Sequence, residues 1–524
     1  MMKKPSTTAF LSARPSKLLI VITAVYSVFY LFAISTLFTP GTMILFVLVV
    51  LGEIFHTWQS LTYLYTVWDM SHVGKSDPLY EPEVDVFITV AGEPVDIVRE
   101  TVEAVIAMDY KNHHIYILND GLVAKKDNWM EMEELAKELG VTCFTREIPG
   151  GAKAGNINNA VAQTKSPYIV IFDADHVPYK SFLKKTIPYF IDPKMGFLQS
   201  PQYYKNAFLN STTLAAWEQQ ELFYGPICRG KNRMNSATMC GTNMVISREA
   251  LSEVGGMCTE SIAEDFATGM FIHEKGWKSL YVPEVLSEGL APEDFLSYTK
   301  QQFRWARGAL DVIFKYNLVM RKGLTWAQKI QYLSSASFFL SGLVVLVNIS
   351  LPLVFLFTGL TPVNITTMFL AIIFIPYIFL SIYNLSLSSN FQFTFRALSF
   401  AMSGFWIHIE ALWTVLRGQK SSFSITPKVA IKGNFPSLVY PHFAYIGLTI
   451  LGILVAVIRE GFSPAVINNI AWAGFSIGIF VPFIQAAIPD FSLKKKLAQI
   501  KAFMMGKFPV KNGPRIVSEK FDKI

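Results

Sequence analysis

The sequence predicts an α/β domain with a Rossmann-like, mostly parallel sheet, inserted between transmembrane α-helices. Three observations carry that expectation. Of the 524 residues, 52% are hydrophobic and only 16% charged, where soluble proteins are ~25% charged, and the mean hydropathy is +0.35. The apolar residues gather in long runs toward both ends, leaving a polar middle in which short apolar stretches alternate with helical ones, the pattern of βα units. Within that middle, Tyr168-Ile169-Val170-Ile171-Phe172 runs into Asp173 and Asp175. A buried strand ending in carboxylates places them where open α/β sheets bind ligands.

Taken in order, residues 1–68 form an N-terminal membrane region. Met1–Lys17 is short and basic (Lys3, Lys4, Arg14, Lys17). Leu18–Phe38 supplies the ~20 apolar residues that a span needs; leading straight into a second run, it reads as a span and not as a cleaved leader. Pro40-Gly41 turns the chain and Thr42–Tyr65 spans back, with Trp58, Tyr63, Tyr65 and Trp68 as an interfacial belt. Glu53 and His56 inside this span are ionisable groups of the kind that mark function in membranes. They also stand one turn apart, close enough to pair.

Residues 69–329 form the polar domain. Strands are expected at Val84–Val90, Ile115–Leu118, Val141–Phe144 and up to Asp173, with helices near Val95–Met108 and Trp129–Leu139. Pro149-Gly150-Gly151-Ala152-Lys153-Ala154-Gly155-Asn156 is a glycine-rich turn before a further helix. In residues 330–489 four spans resume, near Tyr332–Phe357, Ile365–Leu387, Tyr440–Ile458 and Pro464–Ile488. Residues of about 394–417 carry Arg396, His408, Glu410 and Arg417 among aromatics and fit a helix lying in the interface. Residues 490–524 are a short basic tail.

Two spans before the polar domain and four after it put both termini and that domain on one side. The opposite-side loops Thr39–Thr42 and Gly359–Asn364 lack Lys and Arg, whereas Arg396–Lys432 and Lys494–Lys496 are basic. The expectation is a multi-pass protein of the plasma (cytoplasmic) membrane, with the lipid bilayer as its surroundings and the polar domain and both termini cytoplasmic. The formal charge of +7 lies mostly beside apolar segments, which argues for orientation signals and against a nucleic-acid partner. Cys143, Cys228, Cys240 and Cys258 form no C-x-x-C pair, so neither a disulfide nor a zinc site is expected.

Asp173 and Asp175 repel each other unless a cation compensates them, and a hard divalent ion carrying a phosphate ester does that. A helix-capping pair is the alternative for two such carboxylates alone. Four further clusters accompany them: Ile117-Leu118-Asn119-Asp120-Gly121 at a strand end, Ser261-Ile262-Ala263-Glu264-Asp265 before a helix, Gln301-Gln302-Phe303-Arg304-Trp305 on a helix, and Phe423-Ser424-Ile425-Thr426-Pro427-Lys428.

Together these stretches resemble the D-D-G, D-x-D, T-E-D, Q-x-x-R-W and F-x-V-T-x-K motifs of membrane-embedded processive family 2 glycosyltransferases, the cellulose-synthase-like branch. Five in order, between transmembrane segments and over roughly Tyr80 to Lys432, make a specific match. Ala152–Asn156, Leu198–Pro201 and Cys240–Asn243 are also similar to the family. The resemblance implies a GT-A-type glycosyltransferase domain that uses Mg2+ (or Mn2+) on Asp175 and Asp173. It implies Asp265 as catalytic base, with Glu264 orienting the site. Asp120, Thr89, Glu93, Lys153, Gln301 and Arg304 would hold the donor; Trp305 and Cys240 would meet the acceptor. Phe423, Thr426 and Lys428 resemble a gating loop (about 418–435) that closes over the donor.

Each role has a plainer alternative: a helix-cap pair for Glu264/Asp265, a membrane-interface anchor for Trp305, a solvated loop side chain for Lys153. The chain departs from the family at Asn119, Ala263 and Ile425, and its tail is too short for the cyclic-di-GMP-binding β-barrel of many bacterial cellulose synthases. By resemblance the expected activity is transfer of sugars from a UDP-sugar, UDP-glucose first, to a growing polysaccharide acceptor such as a β-glucan. Synthesis of another capsular polysaccharide or exopolysaccharide, a non-processive lipid glycosyltransferase, and a transporter with a nucleotide-sensing domain are the alternatives. Linkage, oligomeric state and accessory subunits are not encoded in these motifs.

Overall fold

The computed structural model describes residues 15–364, 367–390, 393–419, 431 and 433–489. Its centre is a seven-stranded sheet built from β1 (Val84–Val90), β2 (His113–Asn119), β3 (Thr142–Thr145), β4 (Tyr168–Asp173), β5 (Met195–Gln199), β6 (Met244–Ser247) and β7 (Lys278–Tyr281). The spatial order is β7-β5-β6-β4-β1-β2-β3, with β6 antiparallel to both neighbours and the other pairs parallel. All seven residues of β1 are buried, as befits a central strand covered on both faces. Val84, Val86, Ile88 and Val90 pack on one face with Val170 and Phe172; Phe87 packs on the other with Ile169 and Ile171.

The chain runs from β1 outward through β2 to β3, then returns to the opposite side of β1 as β4. That reversal opens a crevice at the carboxyl ends of β1 and β4, where Thr89 stands in register with Asp173. The first four strands lie where the sequence places them, with ends moved by up to two residues. The other three, β5 to β7, have only four or five residues each and carry Gly, Gln, Ser or Lys among their apolar positions. Pattern alone does not raise them above loop.

Among the described residues six helices are long and apolar enough to cross a membrane: Lys17–Leu37, Met43–Val67, Trp326–Thr358, Met368–Ser388, Pro436–Glu460 and Pro464–Ala487. Glu53 and His56 are paired, Oε2 to Nδ1 at 3.4 Å. Residues 394–417 form two short helices, Phe395–Ser403 and Phe405–Leu416, broken at Gly404, and neither is among the six. Ala411 and Leu412 of the second pack on Ala306 and Leu310 of the helix Phe295–Tyr316. One apolar cluster runs unbroken from the sheet (Phe87, Ile171) to the helices (Phe400, Phe480, Phe483). The stretch 423–428 and the tail 490–524 lie outside the described residues.

At the far end of β1 a buried carboxylate ties three segments together. Asp85 accepts from the Ser166 amide at 3.0 Å, the Ser166 hydroxyl at 2.7 Å and Arg248 Nη2 at 2.7 Å. Removing one member of a buried pair strands the other charge, at a cost of about 3–5 kcal/mol; Arg248 keeps some solvent contact, which favours the lower figure. Asp85→Ala should therefore lower the thermal unfolding midpoint of the detergent-solubilised protein by several degrees. A midpoint equal to wild type would show that this pair does not hold the sheet.

Candidate active site

A cavity of about 350 Å³ occupies the crevice at the carboxyl ends of β1, β2 and β4. Its walls include Thr89, Glu93, Asp120, Lys153, Asp173, Asp175, Cys240, Glu264, Asp265, Gln301, Arg304 and Trp305. These twelve sequence-predicted residues, drawn from positions as far apart as 89 and 305, thus line one cavity. Phe423, Thr426 and Lys428 are the remainder, and they lie outside the described residues.

At one end of the cavity Asp120 follows β2 and is gripped by Arg146, Nε to Oδ1 at 2.7 Å and Nη2 to Oδ2 at 2.6 Å. Burial pushes the Asp120 carboxyl up against the pull of that guanidinium. Arg146 also donates to the carbonyls of Gly150 and Ala152, so one side chain joins the strand end to the glycine-rich turn. The turn bends through positive φ at Gly150, Gly151 and Ala152. Gly155 lies so close beneath it that a Cβ there would meet Gly150 O at 2.1 Å. Asn119 explains its departure from an aspartate: it is fully buried, and its Nδ2 donates to Trp129 O at 2.8 Å while Oδ1 accepts from the Gly121 amide at 2.9 Å. A carboxylate has no proton for the first bond. Glu93 folds back on its own turn, accepting from the Ala91 amide at 2.6 Å.

Lys153, in the first turn of the helix Ala152–Val161, is not a solvated loop side chain. Its ammonium pairs with Asp173 and donates to Gly241 O at 2.7 Å. Burial works against the Lys153 charge, but Asp173, Glu264 and Asp265 outweigh it and push the amine up. Thr89 Oγ1 donates to Asp173 Oδ1 at 3.3 Å, and Leu290 N donates to Asp175 Oδ2 at 3.3 Å. Ligand atoms of Asp173, Asp175 and His176 lie within 4.8 Å of one another. Two carboxylates and an imidazole at that spacing fit a divalent ion of the Mg2+ or Mn2+ type.

Across the cavity, Glu264 and Asp265 open the helix Glu264–Glu274. Asp265 Oδ1 accepts from the Phe266 amide at 2.7 Å, so part of the capping alternative holds. Both carboxyls also line the cavity, which a cap alone does not require. Burial, and then the neighbouring Asp265 charge, push Glu264 up to about 7, with Lys153 opposing. Asp265 is raised too, by burial, against the Phe266 amide, Lys153 and Arg304. Gly241 passes flush beside it at φ +79°, where a Cβ would come within 2.9 Å of Asp265 Oδ2.

The third wall is the helix Phe295–Tyr316, begun by Asp294 accepting from the Ser297 amide at 2.8 Å. Gln301, Arg304 and Trp305 sit at i, i+3 and i+4 and share one face. Trp305 is 36% exposed, a flat ring left open to the cavity. Gly308, one turn on, lets this helix touch Ala263: a Cβ at 308 would lie 2.5 Å from the Ala263 Cβ. That contact gives the second departure, alanine before Glu264, a steric reason. Cys240 is held by its amide donating to Gln199 Oε1 at 2.8 Å.

Sequence reasoning missed Arg146 and His176. Arg146 carries no motif signal, since what singles it out is a contact with Asp120 across 26 positions of chain. His176 was visible as the residue following Asp175, without a pattern to raise it above its neighbours.

Two family descriptions match the chain: "Glycosyltransferase like family 2" over residues 82–308 and "Cellulose synthase" over residues 251–485. The chain is 30% identical over 437 residues to a cellulose synthase catalytic subunit (UDP-forming) of Pseudomonas fluorescens, covering 80% of this chain and 57% of that protein. It is 30% identical over 424 residues to cellulose synthase 1 of Komagataeibacter xylinus, covering 77% of this chain and 27% of that protein. The chain thus spans between about a quarter and somewhat over half of the length of these relatives. Among solved structures, the mannosyltransferase PcManGT of Pyrobaculum calidifontis, in complex with GDP-Man and Mn2+, superposes with a TM-score of 0.53 at 16% identity. It covers 72% of this chain and all of its own, which establishes a shared GT-A fold.

Glu264 also makes a stability prediction. A folded-state value of about 7 against 4.5 for an ordinary glutamate means that folding disfavours the ionised form. Stability therefore falls as pH rises from about 4.5 to about 7, and the penalty is complete above that window. Glu264→Gln, which cannot ionise, should raise the unfolding midpoint near pH 8 and leave it little changed near pH 4.5. A variant less stable than wild type at both pH values would contradict the assignment.

Proposed function

The chain belongs to the cellulose-synthase-like branch of the family 2 glycosyltransferases, and we propose that it is a processive, inverting synthase of the plasma membrane. In this reading it polymerises a β-linked polysaccharide, a β-glucan such as cellulose made from UDP-glucose, and passes the product between its own membrane helices. One observation carries the processive part. The helix Phe295–Tyr316 offers Gln301, Arg304 and Trp305 to the cavity, while Ala306 and Leu310 pack on the helix Phe405–Leu416 beside the spans. The point of transfer therefore adjoins the membrane helices. The UDP-forming relatives support a UDP-sugar donor, and the basic Arg396–Lys432 loop supports residues 69–329 as a cytoplasmic catalytic domain.

In the proposed reaction Asp120, Thr89 and Glu93 hold the nucleoside end of the donor, with Arg146 keeping Asp120 in place. Lys153 and Arg304 neutralise diphosphate oxygens, Arg304 through its fork, and Gln301 hydrogen-bonds beside it. A divalent ion on Asp175 and Asp173, when bound, supplies positive charge to the departing diphosphate. Trp305 stacks the C–H face of the acceptor sugar against its ring, and Cys240 lies in the same wall. Asp265 takes the proton from the acceptor hydroxyl as that oxygen attacks the anomeric carbon and the bond to UDP breaks with inversion. Glu264 orients the site, and its negative charge beside Asp265 raises the basicity of the pair. Phe423, Thr426 and Lys428 complete the proposal as a loop that closes over the donor and excludes water.

The test uses membranes from overproducing cells, labelled UDP-glucose with Mg2+, and linkage-specific glucanases on the high-molecular-weight product. Polymer from wild type, and its loss in Asp265→Asn by the ~10²–10⁴-fold that general bases contribute, supports the synthase. A product of single sugars on lipid would replace it with the non-processive reading. Polymer from UDP-GlcNAc or UDP-glucuronate alone would replace the β-glucan with another exopolysaccharide. Burial makes Asp265 hold its proton more tightly than an ordinary aspartate and protonation silences a base, so turnover should fall on acidification; a rate that does not fall as pH is lowered would speak against Asp265 as base. Arg146→Lys loses the two-pronged grip on Asp120 and should raise the KM for the donor about ten-fold with a smaller change in kcat, the signature of lost ground-state binding. An unchanged KM would remove Arg146 from the donor site.

A further inference from the structure

We propose that the seam between the first, second and fourth spans is a hydrated half-channel that delivers protons to Glu53 and His56 in the middle of the membrane, open toward the catalytic domain and closed toward the opposite face. None of its residues lines the sugar-transfer cavity, so the two readings fail separately.

Three polar stripes meet along this seam, each spaced for one helix face. The first span (Lys17–Leu37) carries Thr23, Ser27 and Tyr30, and the second (Met43–Val67) carries Glu53, Thr57 and Ser60. The fourth (Met368–Ser388) carries Tyr377, Ser381, Asn384 and Ser388. Contacts between the stripes occur at successive depths. Nearest the catalytic domain the hydroxyls of Tyr63 and Ser388 meet, beside Arg233 Nη2 donating to Tyr65 O at 2.8 Å. Deeper in, Asn384 Nδ2 donates to Thr23 Oγ1 at 2.6 Å, and the hydroxyls of Ser27 and Ser60 stand 3.4 Å apart. Beyond these rungs come Glu53 and His56, near the midpoint of a 25-residue helix. There the ladder stops. Ala33, Ile34, Phe38, Val49 and Ile373 fill the remaining depth as one buried apolar cluster, which Tyr30 and Tyr377 join with rings stacked at 4.2 Å.

Hydrogen bonding between helices is the ordinary role of such side chains in membranes, and the pairs above fit it. Four buried oxygens on the same stripes do not. Glu53 Oε2, Thr57 Oγ1, Ser381 Oγ and Asn384 Oδ1 have no hydrogen-bond partner, a state that native interiors seldom keep. The rungs recur about once per helical turn, or ~5.4 Å, the distance that one water covers with a ~2.8 Å hydrogen bond on either side. Water between the rungs satisfies these oxygens and links them into a chain along which protons pass.

Charge decides where a proton rests. Glu53 Oε2 lies 3.4 Å from His56 Nδ1. One proton held by the pair leaves it neutral, as carboxyl with imidazole or as carboxylate with imidazolium. Two protons or none leave a net charge within the hydrocarbon, which the bilayer disfavours. Tyr30 and Tyr377 are the titratable groups of the neighbouring spans that lie close enough to interact with the Glu53 charge. The third span packs on the second where Gly52 meets Val344, and Ser341–Thr358 contains no titratable side chain. Protons enter as hydronium from the catalytic-domain side and leave by the same route. The site therefore exchanges protons without conducting them across the membrane.

The test is infrared difference spectroscopy of the full-length protein in proteoliposomes of one orientation, with variants compared at matched unfolding midpoints. Wild type should show a carboxyl C=O band that titrates with pH and shifts promptly in D2O, and Glu53→Gln should abolish it. Should that variant not fold, Glu53→Asp, which keeps the carboxyl and displaces it, should move the band. His56→Gln should keep the band and shift its titration midpoint, because the shared proton loses one holder. Ser60→Val should keep the band and slow its exchange with D2O. A pH step on the catalytic-domain side should change the band, and a step on the opposite side should not. A band that Glu53 substitutions leave unchanged would remove Glu53 as the site. A Glu53 band that does not exchange with D2O would show a dry seam that only holds helices together, and exchange unaltered by Ser60→Val would remove the ladder as the route. A response to the opposite-side step would overturn the closed end.

Discussion

Six carboxylates, Glu93, Asp120, Asp173, Asp175, Glu264 and Asp265, line one cavity of about 350 Å³, and their mutual repulsion is the constraint that organises everything near them. Each is held in a different way. Asp120 is clamped by Arg146, Asp173 by Lys153, and Asp175 turns toward the Leu290 amide and His176. Glu264 and Asp265 have less compensation and respond by holding their protons more tightly. Such an arrangement costs folding stability and leaves a concentrated negative potential, a configuration proteins keep where cations and developing charges are to be handled.

The cationic side chains do more than neutralise. Arg146 binds Asp120 and the carbonyls of Gly150 and Ala152, so the position of Lys153 depends on the position of Asp120 through one guanidinium. Lys153 in turn reaches Asp173 and Gly241 O, and Gly241 abuts Asp265. A chain of contacts thus crosses the cavity from its nucleoside end, as proposed, to the proposed base. Gly308 and Ala263 extend it to the helix that carries Arg304 and Trp305. That helix is shared property: its one face belongs to the cavity and its other to the packing against Phe405–Leu416, with Arg307 donating to Gln419 O at 2.9 Å. The cavity wall and the helix Phe405–Leu416 are thus in direct contact through it.

Much of this was legible without coordinates. Long apolar runs read as spans, because a bilayer demands about twenty apolar residues in a row, and six helices have that length and apolarity among the described residues. β1 and β4, buried on both faces, read as continuous apolar strands for an equally direct reason. Carboxylates at strand ends and the Gln301–Arg304–Trp305 spacing point to chemistry because the period of a strand or helix alone sets which side chains coincide. The strands β5 to β7 were not legible: each has four or five residues, and their identity as strands comes from partners hydrogen-bonded along the sheet. Nor was the fate of Lys153 legible, where loop and site were open alternatives until Asp173 was seen beside it.

By itself, then, the sequence determined the membrane segments, the core strands, the carboxylate-bearing ends and the family. These are properties of local period and composition, carried by residues near one another in the chain. The tertiary structure decided which charges meet: Arg146 with Asp120, Lys153 with Asp173, Gly308 with Ala263, and His176 enclosed by Gly289. Each of those contacts joins segments that are separate in sequence, and its strength depends on burial and on distances of a few ångströms. No pattern of residue types along one strand or helix encodes either quantity.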